Sequence, residues 1–293
     1  MNAKVKITNR AGASFPVRRM NFEFESVPEY WMNGSAGLTH FMTALSALFP
    51  AGEMFFIDSV RAVRQHPSIK DNDEIKKEIS AFIGQEAMHT QEHEGFNASA
   101  QKYGHDVATL DRYTDRAIQT TRKVFAFLGK PVGITQEMVD LTATTALEHF
   151  TATIASQLLV NNHIQELMSD ETMKTMWLWH AIEENEHKAV AYDVFEGVFG
   201  KGIKSYLLRT GSLVAAMAIL FCVQSYFVFR LLQQDKQLNR AALKDIYTYA
   251  YSPSKGIITG MAREMIMYFK PGFHPNHHDT DALLEKWKLK LGF

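Results

Sequence analysis

Cysteine is almost missing from this chain: among 293 residues Cys222 stands alone, which excludes an internal disulfide and any zinc or iron–sulfur site built from several thiolates. Metal chemistry, if present, must use His, Glu or Asp. A surplus of charge is missing too, with 31 Lys and Arg against 32 Asp and Glu and a net charge of -1. Neutralising phosphates takes an excess of positive charge, so no nucleic-acid partner is expected. The N-terminal MNAKVKITNRAGASFPVRRM carries basic residues but no apolar run leading to a cleavage site. No secretory signal is expected, and the default is a cytoplasmic protein. Proline (8) and glycine (17) are few and sit mostly at segment edges, while Met (14) and Phe (20) are many. That composition favours long helices around a bulky core.

Residues 1–35 contain Pro16, Pro28, Gly34 and the alternation MNFEFESV, the pattern of an extended arm packed on a body. Residues 36–65 are helix-like, with an interruption near FPAGE where Pro50 and Gly52 kink the helix or start a new one. A helix over 71–103 opens on Asp and Asn caps and stops at Gly104. Another covers 106–128 before the turn GKPVG. A third runs over 135–162 with Thr135 as its cap, and a fourth over 170–199. The expectation is all-α: two long helices, a crossover helix and two more within 36–199, then a C-terminal helical extension over 200–293.

Two segments read Glu-x-x-His: Glu86 to His89 and Glu184 to His187. With 3.6 residues per turn, an i, i+3 pair shares one helix face, so each segment aims a carboxylate and an imidazole at one point. Upstream of each, by 33 and 36 residues, a single Glu sits among apolar neighbours: Glu53 in GEMFFIDSV and Glu148 in TTALEHFTATI. Burying either without a partner is costly. One Glu from each of two helices plus Glu-x-x-His from each of two others is the ligand set of the ferritin-like di-iron and di-manganese carboxylate proteins. Residues 36–199 resemble that superfamily.

The resemblance implies a ferritin-like four-helix bundle with Glu53 and His89 on one metal, Glu148 and His187 on the other, and Glu86 and Glu184 bridging. Two iron ions are expected, with manganese or zinc as alternatives because the donor types do not discriminate among them. His180 shares the helix face of Glu184 and His187. It looks like the extra histidine ligand of the aryl-amine N-oxygenases and is expected on the Glu148/His187 metal; a supporting imidazole is the other reading. His93, one turn beyond His89, is expected behind the ligands, at the offset where the radical-forming ribonucleotide reductase subunit holds its tyrosine. Glu183 is an alternative to Glu184, His149 is turned away from the centre, and Asp58 or Asp193 is a candidate to orient a ligand imidazole. The whole chain, HAIEENEHKAVAYDVF included, is also similar to a bacterial family labelled predicted metal-dependent hydrolases.

The run SLVAAMAILFCVQSYFVF, 212–229, is apolar for eighteen residues, close to a membrane-spanning length. Its readings are a helix buried against the bundle or in a homodimer interface, one that contacts a membrane surface, or a true span. HPNHH, 274–278, is expected in solvent rather than as a second metal site. The function expected is a di-iron oxygenase or oxidase that uses dioxygen on a small apolar or amine-bearing substrate. With no flavin or Cys-rich motif in the chain, electrons would come from an external donor. A metal-dependent hydrolase is the alternative, and a metal store or sensor the least attractive reading.

Overall fold

The structure, a computed structural model, describes residues 6–8 and 15–293; the rest of the expected arm, 1–5 and 9–14, lies outside the described residues. Two short strands, β1 (Lys6–Thr8) and β2 (Val17–Arg19), pair antiparallel with Ile7 opposite Arg18. The other main elements among the described residues are helices: α1 (Ala36–Ser46), α2 (Phe49–Ala62), α3 (Pro67–Lys70), α4 (Asp73–Ala100), α5 (Val107–Gly129), α6 (Gln136–Val160), α7 (Asn162–Leu167), α8 (Glu171–His187) and α9 (Val190–Phe199), followed by α10 (Ile203–Gln234), α11 (Arg240–Tyr251), α12 (Ile257–Met267) and α13 (Asp281–Leu291). The chain is an all-α bundle.

Caps set several starts. Asn72 Oδ1 accepts from the backbone N–H groups of Glu74 and Ile75 at 3.2 Å, and Thr135 Oγ1 from Met138 at 3.3 Å. Asp170 accepts from Met173 at 2.9 Å. Each such cap stabilises its helix by about 0.5–2 kcal/mol. The helix-like stretch 36–65 is two helices: Pro50 occupies the second position of α2, where its missing N–H leaves no intrahelical bond unmade. The helix expected over 170–199 is also two, and this corrects the sequence reading. It breaks at Lys188 and Ala189, immediately after His187, where the Lys188 ammonium donates to the carbonyl of His278 and to Thr280 Oγ1.

α2 packs on α4, α6 on α8, α2 on α6 and α4 on α8, so these four helices enclose a common interior. α5 lies across α2, α4 and α6; α10 covers α6 and α1, α12 packs on α6, and α13 on α8. Two apolar cores stack along the bundle. One joins Trp31, Met42, Phe49, Phe96, Phe150 and Trp177; the other joins Phe55, Phe56, Phe82, Leu141, Val190 and Phe195. The abundant Met and Phe are largely core filling, as helical spacing suggests.

The α1–α11 contact depends on a glycine. A Cβ on Gly37 would stand 2.4 Å from the carbonyl oxygen of Ala242. Gly37→Ala is therefore expected to cost about 1–3 kcal/mol, read as a lower urea midpoint at unchanged slope.

Candidate metal centre

At one level of the bundle each long helix interrupts its apolar sequence. On α2, Glu53 lies between Phe49 of one core and Phe56 of the other. On α4, Glu86 and His89 lie between Phe82 and Phe96, and on α6 Glu148 lies between Leu141 and Phe150. α8 contributes Glu184 and His187 just before its break. The result is a polar layer pressed between two hydrophobic cores, with all six side chains at most 3% exposed.

The two central carboxylates each face both imidazoles. Glu86 Oε1 is 3.0 Å from His187 Nε2 and its Oε2 is 3.9 Å from His89 Nδ1. Glu184 Oε2 is 3.7 Å from His187 Nε2 and its Oε1 is 3.6 Å from His89 Nδ1. Glu148 Oε2 stands 3.5 Å from His187 Nε2. Glu53 accepts a hydrogen bond from Thr90 at 2.8 Å through Oε2, which leaves Oε1 facing inward. Donor atoms of Glu53, Glu86 and His89 lie within 4.8 Å of one another, as do those of Glu86, Glu184 and His187.

Closeness here is not hydrogen bonding. Glu53 Oε1, both oxygens of Glu86 and of Glu148, Glu184 Oε2, His89 Nδ1 and His187 Nε2 are buried without a hydrogen-bond partner. Orphaned polar atoms are expensive singly, and eight converging ones call for a cation that accepts their lone pairs. Two divalent ions would balance the four carboxylates, so the residues present fit a paired-metal site.

The electrostatics agree. Burial, reinforced by the neighbouring carboxylates, pushes Glu53 and Glu148 well above the ordinary carboxylate range. Glu86 is pushed up by burial, against the pull of His187. Burial acts on Glu184 too, but the hydrogen bond with His180 and the nearby imidazole of His187 outweigh it and hold this carboxyl well below its usual value. His89 is driven well down by burial and by neighbouring His180, whereas for His187 the carboxylates of Glu184 and Glu86 overcome burial and raise it.

His180 is at the layer, but not where its spacing suggested. Its Nε2 bonds Glu184 Oε1 at 2.8 Å and lies 3.9 Å from Glu53 Oε1, and its ring stacks on His89 with centroids 4.0 Å apart. It stands on the Glu53/His89 side rather than with Glu148 and His187. The reason is helix direction: His180 lies one turn before Glu184 on α8, and at that level the facing residues are His89 and His93. His93 sits behind it, sharing a 2.8 Å hydrogen bond from Nε2 to His180 Nδ1, while its Nδ1 meets Ser46.

Two other expectations are corrected. Asp58 is exposed and pairs with Arg61, and Asp193 binds His274 at 2.8 Å; neither touches an imidazole of the layer. That pair also holds part of HPNHH against α9, so His274 is only partly in solvent. His149 is turned away, its Nε2 donating to the Glu264 carbonyl and its ring stacked on Tyr268.

The residues that orient the imidazoles are Gln85, which the sequence reading missed, and Glu183, which it considered only as an alternative to Glu184. His89 Nε2 is hydrogen-bonded to Glu183 at 3.1 Å, and His187 Nδ1 to Gln85 at 2.9 Å. Gln85 and Glu183 each immediately precede the Glu of one Glu-x-x-His motif, and each binds the histidine of the other. That shared offset was the available signal. Glu183 is anchored in turn by Arg18 from β2, at 2.9 Å; even so, burial lifts it to about 8. Outer partners of this kind typically hold metal affinity by 10–100-fold. Glu183→Ala is expected to weaken metal binding by roughly that factor, while Glu183→Gln, which keeps a carbonyl like that of Gln85, retains most of it. Competition with a chelating dye measures both.

A family described as "predicted metal-dependent hydrolase" matches residues 16–279. This chain belongs to that family. The matched span contains every residue of the polar layer together with Arg18, Gln85 and Glu183, so a metal-dependent family and a buried His/Glu cluster coincide in one place. No curated protein and no solved structure matches the chain.

Proposed function

We propose that this chain is a two-metal enzyme of oxidative chemistry: an oxygenase or oxidase in which Glu53, Glu86, His89, Glu148, Glu184 and His187, with His180 as a seventh ligand on the Glu53 side, hold two iron ions. The observation that carries the reading is the orientation of Glu86 and Glu184, each with one oxygen toward each imidazole. Carboxylate-rich sets of this kind occur in the ferritin-like superfamily that the sequence resembles. A bound iron pair supplies the reduction of dioxygen. The chain's own residues hold and orient the ligands: Thr90 fixes Glu53, Gln85 and Glu183 fix the imidazoles, and Phe49, Phe82 and Phe150 keep bulk water from the layer. Electrons would come from an external donor, and the substrate would be a small apolar or amine-bearing molecule.

Hydrolysis by a metal-bound water is the second reading, and the family's own description supports it better than it supports oxidation. Zinc or manganese would serve it with the same ligands. One experiment separates the two. Metals are counted in the purified protein, ferrous iron is added without air, and the sample is mixed with oxygen while its spectrum is recorded. Two irons per chain and oxygen consumption support the oxidative reading. No consumption, together with ester or amide cleavage by the zinc- or manganese-loaded protein, would replace it with the hydrolytic one.

A further inference from the structure

Between α2, α5, α6 and α10 lies a cavity of about 350 Å³ whose lining includes the fully buried Glu53. Its size falls within the roughly 300–1,000 Å³ of small-molecule sites. The walls are mainly apolar, with Ile118, Leu147, Ile219 and Leu220 among them. Gly52 and Gly211 line it, and the space where a Cβ would stand on either is open. At the inner end Leu45, Phe49 and Thr151 continue into the wall of a smaller space that touches His180 and Glu184. A slender apolar ligand lying in this cavity would end at the polar layer.

The outer end opens through an apolar surface. Phe125 of α5 and Leu207 of α10 both line the cavity and stand exposed, and Phe127, Leu128 and Ile203 beside them are more exposed still, at 76%, 64% and 74%. α5 and α10 run antiparallel here: Lys204 donates to the carbonyls of Val132 and Gly133 at one end, and the rings of Tyr113 and Tyr226 meet at the other. Two helical stretches are long and apolar enough to cross a membrane by length and composition. The one over 36–62 has 78% of its best window buried, whereas α10, with mean hydropathy 2.0, has only 11% buried. An apolar helix thus lies at the surface, with Leu213, Phe227 and Leu231 buried on its inner side and Ile203, Leu207, Val214, Phe221 and Phe229 exposed on its outer side. Lys123, Lys130 and Lys204 are exposed around the same end, with Glu137 as the acidic residue of that turn. Exposed apolar side chains with lysines beside them are the arrangement of interfacial helices on anionic lipid.

We infer that the α5–α10 face rests on an anionic bilayer and that an acyl chain from that bilayer enters between Phe125 and Leu207 to reach Glu53. This rests on the reading of the polar layer as the reacting centre. A second copy seated two-fold on this face would close the opening and bring like charges together, which favours lipid as the occupant.

The test uses the full chain, vesicles of phosphatidylcholine with and without phosphatidylglycerol, and the fluorescent fatty acid cis-parinaric acid. The chain is expected to float with the anionic vesicles, less so at high salt, and to take up the probe. Phe127→Asp combined with Ile203→Asp is expected to reduce flotation by roughly tenfold, with helicity unchanged because both positions are exposed. Gly211→Phe, or Ala215→Phe should the first not fold, is expected to abolish probe uptake while flotation persists. Flotation that ignores the aspartates, probe uptake that ignores the filled cavity, or a dimer that the aspartates dissociate and that binds no vesicles would each overturn the proposal. Metal content is counted in every sample: acyl-chain uptake by a chain that cannot load two metals sinks the paired-metal reading and leaves the lipid site standing.

Discussion

Glu184→Ala is expected to leave a chain that cannot load two metals. Glu184 is the carboxylate to which most of the layer is tied: Oε1 takes the hydrogen bond of His180 and faces His89, and Oε2 faces His187. It is also the carboxyl of the four that its surroundings hold in the charged form, against burial, through His180 and His187. On the proposed paired-metal reading, removing it would take a donor from both positions at once. It also strips His187, raised by its carboxylate neighbours, of one of the two that raise it. Breaking a buried charged pair from one side costs about 3–5 kcal/mol, so the thermal midpoint falls as well. Equilibrium dialysis with ferrous or manganous ion, followed by elemental analysis, is expected to give at most one metal per chain, with helicity by circular dichroism retained below the new midpoint. Retention of two metals would refute the bridging role. Glu86→Ala should behave alike, because Glu86 has the same two-sided orientation. Glu53→Ala and Glu148→Ala each remove a donor from one side only and should weaken one metal more than the other.

Much of this centre was legible in the sequence because helix periodicity converts spacing into direction. Glu86 and His89, or Glu184 and His187, had to share a face, and Glu53 and Glu148 stood out as carboxylates among Phe, Met, Leu and Ala. Periodicity says which way a side chain points; it does not say what stands opposite. His180 was placed on the right face and beside the wrong partners, since the height at which α8 passes α4 depends on packing along the whole bundle. The roles of Gln85 and Glu183 escaped for the same reason: each acts on the histidine of the other motif, across a contact no local pattern encodes. Asp58 and Asp193 were nominated by offset, and both face outward to Arg61 and His274. The break after His187 was hidden because Lys188 and Ala189 carry no helix-breaking signal; a bond from Lys188 to the segment near Thr280 makes the turn. α10 shows the limit most clearly. Its composition announced an apolar helix, yet only the fold reveals that one side of it lines a cavity while another stands exposed.

Metal loading is expected to stabilise the fold strongly and to release protons, with an effect that grows with pH. In the metal-free chain Glu53, Glu148 and Glu86 are raised, by burial first, and so keep protons that the unfolded chain has already lost above its ordinary carboxylate value. His187, raised by its carboxylate partners, keeps a proton above the ordinary histidine value of 6.5. A raised group contributes stability at low pH that is lost as pH climbs through its folded value. The lowered groups act in the opposite sense: His89 and His93 gain below 6.5 and Glu184 near the ordinary carboxylate value, so above about pH 6.5 their contributions are constant. Only raised groups still change there, all with one sign, and Glu183, lifted by burial to about 8, is one of them. The melting temperature of the metal-free chain should therefore fall as pH rises from about 6.5 toward the Glu183 value of about 8, while that of the loaded chain, in which cations would hold the other carboxylates, should fall less. At a free metal concentration a thousand times Kd one site adds about 4 kcal/mol, which for a chain of this size corresponds to a rise of roughly 8–16 °C. Because the cations displace the retained protons, apparent affinity should increase about tenfold per pH unit for each proton released. Loading in a weakly buffered solution with a pH indicator counts those protons directly. A release below one proton per chain at pH 7, or a metal-free melting temperature that rises with pH, would mean that the carboxylates of this layer are already charged without metal.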